Sequence, residues 1–373
     1  MMSNQISVRQ LFCMVVLFEL GSAIVVGLGM DAGQDAWIAI LLGMFSGLAA
    51  VHLYAYLHER SSGKEWTDHI VNVFGPWIGT AIALGYIIYF LYIAGRVLRD
   101  FGALLISSSL NLTSPIPVAI VMGFVVLYAY LKGIESFARS GEMVMEIMVL
   151  IGIFLALLIS FSDIIRPENT LPVLGEGWKP VLSTAYPLTS TFPFGELIAF
   201  LMIFPNVRTS TKSGIRTVMV KAVLASGAIL TVVIWTDIAV LGAKRASLEH
   251  FPLLTVIGRI SIGSFIQRMD AFAISILILG VFYKVTVFFY ASVQGFTTLM
   301  KLNQPQHRQI IAFIFGAGLL WLSFVMSGSY VEHIETGLKK VPLYMHVPMQ
   351  YGIPLIMAMI IVVKRKRSSK SME

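Results

Sequence analysis

Apolar residues in this chain come in long blocks with few charges, separated by short polar connections. Ten blocks can be placed, at about 8–30, 36–57, 76–98, 115–131, 142–162, 184–206, 215–241, 270–300, 309–327 and 342–363. Each has roughly the length that a helix needs to cross about 30 Å of hydrocarbon. The pattern predicts an all-α integral membrane protein of ten transmembrane helices, a single polytopic domain over residues 1–373. The longest connections, about 163–183 and 242–269, are too short to fold alone.

Composition agrees: 57% of residues are hydrophobic and 13% charged, where a soluble domain carries about 25% charged. The net charge of +7 is not spread evenly. Fifteen Lys and Arg fall on the side of the N-terminus, including five in a basic tail at 364–373, against eight in the opposite connections. That bias predicts cytoplasmic termini. Orientation and anionic membrane lipid account for the positive charge, so no nucleic-acid partner is expected. Trp37, Trp66, Trp77, Trp178 and Trp235 fall at or beyond block ends, the headgroup level that indole rings prefer. Cys13 is the single cysteine, which excludes an intrachain disulfide and a cysteine metal site. The seven histidines form no metal pattern, and His333 and His346 are expected near the outer interface. Neither metal nor cofactor is expected. Arg9 ahead of an apolar run resembles a signal peptide, but Glu19 interrupts the run and no cleavage site follows, so the block reads as a retained first span. The sequon Asn111-Leu112-Thr113 is too short a pattern to carry weight.

Two blocks contain breaks. The first reads Glu19, Leu20, Gly21, Ser22, Ala23 and then Gly27-Leu28-Gly29; the sixth reads Phe192, Pro193, Phe194, Gly195, Glu196. Proline removes an amide and clashes with the preceding turn, while glycine permits non-helical angles. Unwound backbone at membrane depth is tolerated where it is buried or lines a cavity. Breaks in the first and sixth of ten spans predict two inverted five-helix repeats, about 8–162 and 184–363. Half-helix ends there offer amides to an anionic group and freed carbonyls to a cation or ammonium, and a zwitterionic amino acid fits both.

Lys284 falls near the centre of the eighth block. A lone central lysine costs about 2.5–3.5 kcal/mol on insertion scales, so it needs a partner. Glu19, Glu196, Asp237 and the carbonyls of the first break are the candidates, with deprotonation of the amine itself as the remaining alternative. This network is a candidate for coupling, with a structural salt bridge as the alternative. Asp237 sits near the outer end of the seventh block, where a solvated position is equally open. Arg96, Arg99 and Asp100 are expected to mark the outer end of the third. No spacing assembles a nucleophile, base and orienting group, so the chain does not read as an enzyme.

Four segments carry a resemblance: Glu19 to Ile24, Gly33-Gln34-Asp35-Ala36-Trp37-Ile38, the Gly133-Ile134-Glu135 to Ala138-Arg139 turn, and Pro193-Phe194-Gly195-Glu196. Together they resemble the endospore germination permease family, the B subunits of spore germinant receptors, within the amino acid–polyamine–organocation transporter superfamily. The resemblance covers essentially the whole chain. It implies an inverted-repeat fold in the inner spore membrane. It further implies recognition of a small nutrient, usually an amino acid, in a complex with a larger A subunit and a lipoprotein C subunit. It places ligand at Gly21, Ser22, Ala23 and Phe192 to Glu196, with aromatics such as Tyr86, Phe90 and Tyr283 shaping the pocket. A proton-coupled amino-acid transporter, and a scaffold with a vestigial pocket, are the alternatives.

Overall fold

Ser7 opens the first helix. Its hydroxyl accepts from the Gln10 amide, and the Gln10 side chain accepts from the Ser7 amide, so two end-of-helix donors are satisfied reciprocally. The resulting helix α1, Val8–Leu20, belongs to a computed structural model that describes residues 5–108, 114–209, 214–262, 266, 267, 269–302 and 304–370. The sequon at 111–113 lies outside the described residues, as do 371–373 of the basic tail.

After α1 come α2 (Ala36–Glu59), α3 (Trp66–Phe74), α4 (Pro76–Ser108), α5 (Pro115–Lys132), α6 (Ile134–Phe161) and the short α7 (Trp178–Thr184). The second half has α8 (Gly214–Leu241), two short helices α9 (Ala243–Ala246) and α10 (Pro252–Gly258), α11 (Asp270–Leu299), α12 (Pro305–Val325), α13 (Tyr330–Glu335) and α14 (Ile353–Lys370). Two two-residue strands, β1 (Ser261–Ile262) and β2 (Ile266–Gln267), pair antiparallel. Among the described residues, eight helices are long and apolar enough to cross a membrane. They match eight of the ten expected blocks. The first and sixth blocks are not continuous helices.

In the first block, α1 stops at Leu20; residues 21–29 run as turns, and a 3₁₀ helix, Met30–Asp35, leads into α2. In the sixth, α7 passes into a π-helical stretch, Ala185–Thr189, then a turn at 192–193 and a 3₁₀ run, Phe194–Met202. Close approach makes this possible. A β-carbon on Gly43 of α2 would stand 2.5 Å from the Thr189 carbonyl oxygen, and one on Gly47 would stand 2.5 Å from Phe194 Cβ. Bare glycine backbone thus forms the wall against which the irregular segment lies.

Other expectations are corrected. Helix α6 begins at Ile134 rather than 142, because polar turns carrying Glu135 and Arg139, paired at 2.9 Å, extend it beyond the apolar block. Helix α4 runs to Ser108, so Arg96, Arg99 and Asp100 do not end it. Trp66 is buried, its ring edge-on to Tyr86 at 5.5 Å, so it packs inward instead of lying at an interface. His333 and His346 are buried as well. On the side of the N-terminus, Ile6 pairs with the exit of the sixth block: its amide donates to the Asn206 carbonyl at 2.9 Å and its carbonyl accepts from Arg208 at 2.8 Å.

Candidate functional site

Three backbone carbonyls of the irregular sixth segment, those of Pro187, Ser190 and Gly195, accept side-chain hydroxyls. Tyr351 donates to the Ser190 carbonyl at 2.7 Å, and the Tyr54 hydroxyl lies 3.0 Å from the Gly195 carbonyl and 2.9 Å from that of Gln350. Thr191 and Thr189 turn their hydroxyls back onto the Pro187 and Ala39 carbonyls, at 2.8 and 2.6 Å. These bonds satisfy the irregular backbone at depth.

Charge at this place comes from side chains instead. Lys284 Nζ lies 2.6 Å from Glu196 Oε2, and neither side chain reaches solvent. The ammonium also sits 4.3 Å from the ring centroid of Phe192 and 5.3 Å from that of Phe18, where a ring face attracts a desolvated cation by about 2 kcal/mol. Its stem runs along the first break, since a β-carbon on Gly21 would stand 2.9 Å from Lys284 Cδ. Helix α11 meets the break through Gly280, whose added Cβ would be 3.0 Å from Gly21 Cα. Lys284, Glu196, Phe192 and Gly21 therefore form one cluster, with Pro193, Phe194 and Gly195 beside it and Ala23 buried next along the chain.

Glu19 stands apart. Its carboxyl turns to α8, where the Ser226 hydroxyl hydrogen-bonds to it. Asp237 is not in the cluster: along α8 it lies 11 residues beyond Ser226, about 16 Å at 1.5 Å per residue. Nor is it solvated, being 1% exposed. The segment after α6 and the helix α10 fold over that end of α8, as Arg166 and Asn169 donate to the Ala239 carbonyl and Arg259 to that of Val240.

Three residues that sequence reading missed complete the cluster. Gln350 donates to the Tyr89 oxygen at 2.9 Å, and Tyr89 lies 2.7 Å from His346 Nδ1. With Gln350 donating, the Tyr89 proton goes to Nδ1 and the ring proton of a neutral His346 stays on Nε2. That nitrogen is 4.0 Å from Glu196 Oε1. His346 and Gln350 lie in a π-helical stretch, Pro342–Gly352, where a 3.6-residue period misplaces side chains.

A cavity of about 50 Å³ opens beside the pair. Ser22, Phe192, Glu196 and His346 line one part of it, and Arg96 and Asp100 another. Arg96 donates to the His333 carbonyl at 2.5 Å, and His333 Nε2 lies 2.9 Å from Asp100. Arg99 holds the Ser323, Phe324 and Ser327 carbonyls at 3.0–3.1 Å. Tyr86 and Phe90 do not line this cavity. They belong to an aromatic layer in which Phe18, Phe288, Phe90 and Tyr86 follow at ring distances of 5.0, 6.2 and 5.8 Å. Tyr283 faces α6, stacked on Phe137 at 4.8 Å and 2.7 Å from the Ser140 hydroxyl.

Comparison with solved structures places the fold. The structure of MhsT in complex with L-phenylalanine superposes with a TM-score of 0.62 over 95% of this chain and 97% of that one, at 13% identity, a LeuT-like transporter fold. Among sequences, spore germination protein KB of Bacillus subtilis (strain 168) is 39% identical over 370 residues, 98% of this chain and 97% of that protein. Spore germination protein A2 of the same organism is 23% identical over 90% of this chain and 88% of that protein. A model of the spore permease family, described as spore germination protein, matches residues 5–331. A match of that extent, together with eight membrane-length helices, makes this chain an integral membrane member of the spore germination protein family.

Proposed function

We propose that this chain is the nutrient-sensing subunit of a spore germinant receptor, binding a small amino acid between the first and sixth broken spans. The observation that carries the reading is the cavity between them, lined by Ser22, Phe192 and Glu196 with Arg96 and Asp100 beyond. A water occupies about 10–15 Å³ on this measure, so about 50 Å³ takes three to five water-sized groups. That size favours a small zwitterion over a sugar or nucleoside. Arg96 offers a cationic wall to a carboxylate, and Glu196 an anionic one to an ammonium.

In this reading the ten spans form two inverted repeats, about 8–162 and 184–363, in one domain with a basic tail at 364–373. Both termini face the cytoplasm of the spore's inner membrane. The ligand contacts are Gly21, Ser22, Ala23 and Phe192 to Glu196. Phe90 and Tyr86 support the floor and Tyr283 the α6 side. Glu19, Lys284 and Asp237 carry the buried charge. Ligand favours one arrangement of the repeats only if it binds that arrangement more tightly, about 1.4 kcal/mol per tenfold shift. Partner A and C lipoprotein subunits then receive the change. Likeness to spore germination protein KB supports a subunit that works with others.

A proton-coupled amino-acid transporter is the second reading, favoured by buried carboxylates at both breaks, Glu19 and Glu196. One preparation separates the two. The purified chain in proteoliposomes is given amino acids, sugars and nucleosides, and thermal stabilisation and radiolabel uptake are scored together. Stabilisation reports binding to the folded state. A small amino acid that stabilises without accumulating supports the sensor. Accumulation driven by a pH gradient establishes the transporter. Neither effect, alone or with partner subunits, overturns both.

A further inference from the structure

A second cavity, of about 650 Å³, lies on the other side of the first break. Its floor is Leu20, Ile24 and Val25, and its walls come from the second halves of α6 and α8 together with α10 and the first turns of α11. No lining residue is ionisable. The hydroxyls in its walls are turned away: Ser160 donates to the Ala156 carbonyl and Thr236 to that of Val232, both at 2.8 Å within their own helices. The surface offers a ligand dispersion contact and almost no hydrogen bonds.

Gly152 of α6 lines this space, and a β-carbon added there would meet nothing within 4 Å. The volume is of the size that holds a small molecule, about 300–1,000 Å³. Its length selects the occupant. Lining residues span Met145 to Ser160 on α6 and Ala228 to Thr236 on α8, about 22 and 12 Å of helix. A transmembrane helix from another chain would need a seam along the full hydrocarbon thickness of about 30 Å. The groove instead ends at the break, short of that thickness on both helices. At its mouth stand Trp235 and Ile165, followed in sequence by Arg166, whose side chain is 60% exposed and lies 3.9 Å from the exposed carboxylate of Asp163. An indole and a guanidinium at that level suit a phospholipid headgroup.

We propose that this groove seats one acyl chain of a membrane phospholipid against the broken first span, with the phosphate toward Arg166. The seat is separate from the cavity beside Glu196, and the proposal does not depend on the nutrient reading.

The full chain is reconstituted with a phosphatidylglycerol carrying a diazirine at the end of one acyl chain, irradiated, and the adducts mapped by mass spectrometry. A seated chain labels peptides containing 145–160 and 228–236 in a manner that saturates as the photolipid fraction rises. Labelling at Tyr128, on the exposed face of α5, rises in proportion and serves as the reference for ordinary lipid contact. Gly152→Trp fills the groove and abolishes the saturating component while Tyr128 labelling persists. Gly152→Leu, a smaller filling, lowers it in the same direction if the tryptophan variant does not fold. Proportional labelling everywhere means surrounding lipid only and overturns the proposal. So does saturable labelling that Gly152→Leu and Gly152→Trp both leave unchanged.

Discussion

Lys284 and Glu196 face each other at 2.6 Å, one from an unbroken helix and the other from the irregular sixth segment, with no solvent at either side chain. Removing one member of such a pair strands the other charge, at a cost of about 3–5 kcal/mol. Lys284→Met is expected to lose about that much stability, read as the unfolding midpoint of the detergent-solubilised chain. Lys284→Met combined with Glu196→Gln leaves no stranded charge and is expected to recover most of it. A double variant as unstable as the single one would falsify the pairing.

Gly195 leaves room for Gln350. A β-carbon at 195 would run into the Gln350 side-chain oxygen, and Gln350 in turn orients Tyr89 toward His346. Overpacking of this kind costs about 1–3 kcal/mol. Gly195→Ala is expected to destabilise by that amount and to weaken ligand stabilisation. Adding Gln350→Ala relieves the clash and returns the midpoint toward wild type. Thermal shift measurements on the three variants decide it.

Of the two aromatics that the family resemblance puts at the ligand site, Phe192 lines the cavity and Tyr283 does not. Phe192→Ala removes the ring 4.3 Å from the Lys284 ammonium and is expected to lower ligand affinity. Tyr283→Phe deletes a hydroxyl bonded to Ser140 on α6, costing about 1 kcal/mol of stability with ligand affinity unchanged. Titrations by ligand-induced thermal shift, run side by side, test the contrast.

His69, on α3 outside the membrane-length helices, is pulled from the ordinary 6.5 down to about 4 by burial, with further lowering from the positive charges of His58 and Lys64. A depressed imidazole means the unfolded chain binds the proton first. Stability is therefore intact above about pH 6.5 and is lost progressively as pH falls toward 4. His69→Gln is expected to flatten this part of the profile. Unfolding midpoints recorded from pH 7.5 to 4.5 show whether it does.

The irregular segments were legible because helix-breaking chemistry and a carboxylate coincide within a few residues: Gly21 next to Glu19, and Pro193 and Gly195 next to Glu196. Span ends were legible wherever a charge pattern changed with them, and misplaced at α6, where charged turns continue the helix. Facing was harder. Tyr283 and Lys284 are consecutive, yet a step of one residue on a helix turns a side chain by about 100°, and nothing local says which of the two looks at the cavity. His346, Gln350 and Ser226 give no local signal, because each matters through a partner at least 150 residues away in sequence. Only packing reveals such partnerships.

Ile6 sits two residues ahead of α1 and is hydrogen-bonded on both sides to the chain that leaves the sixth segment, at Asn206 and Arg208. The near ends of the two irregular spans are thus joined by main-chain bonds, which substitutions other than proline leave in place. The bridge is parallel, Ile6 against Val207, so the start of the first span and the exit of the sixth run side by side at that face. Separating the spans there costs both main-chain hydrogen bonds of this short parallel bridge.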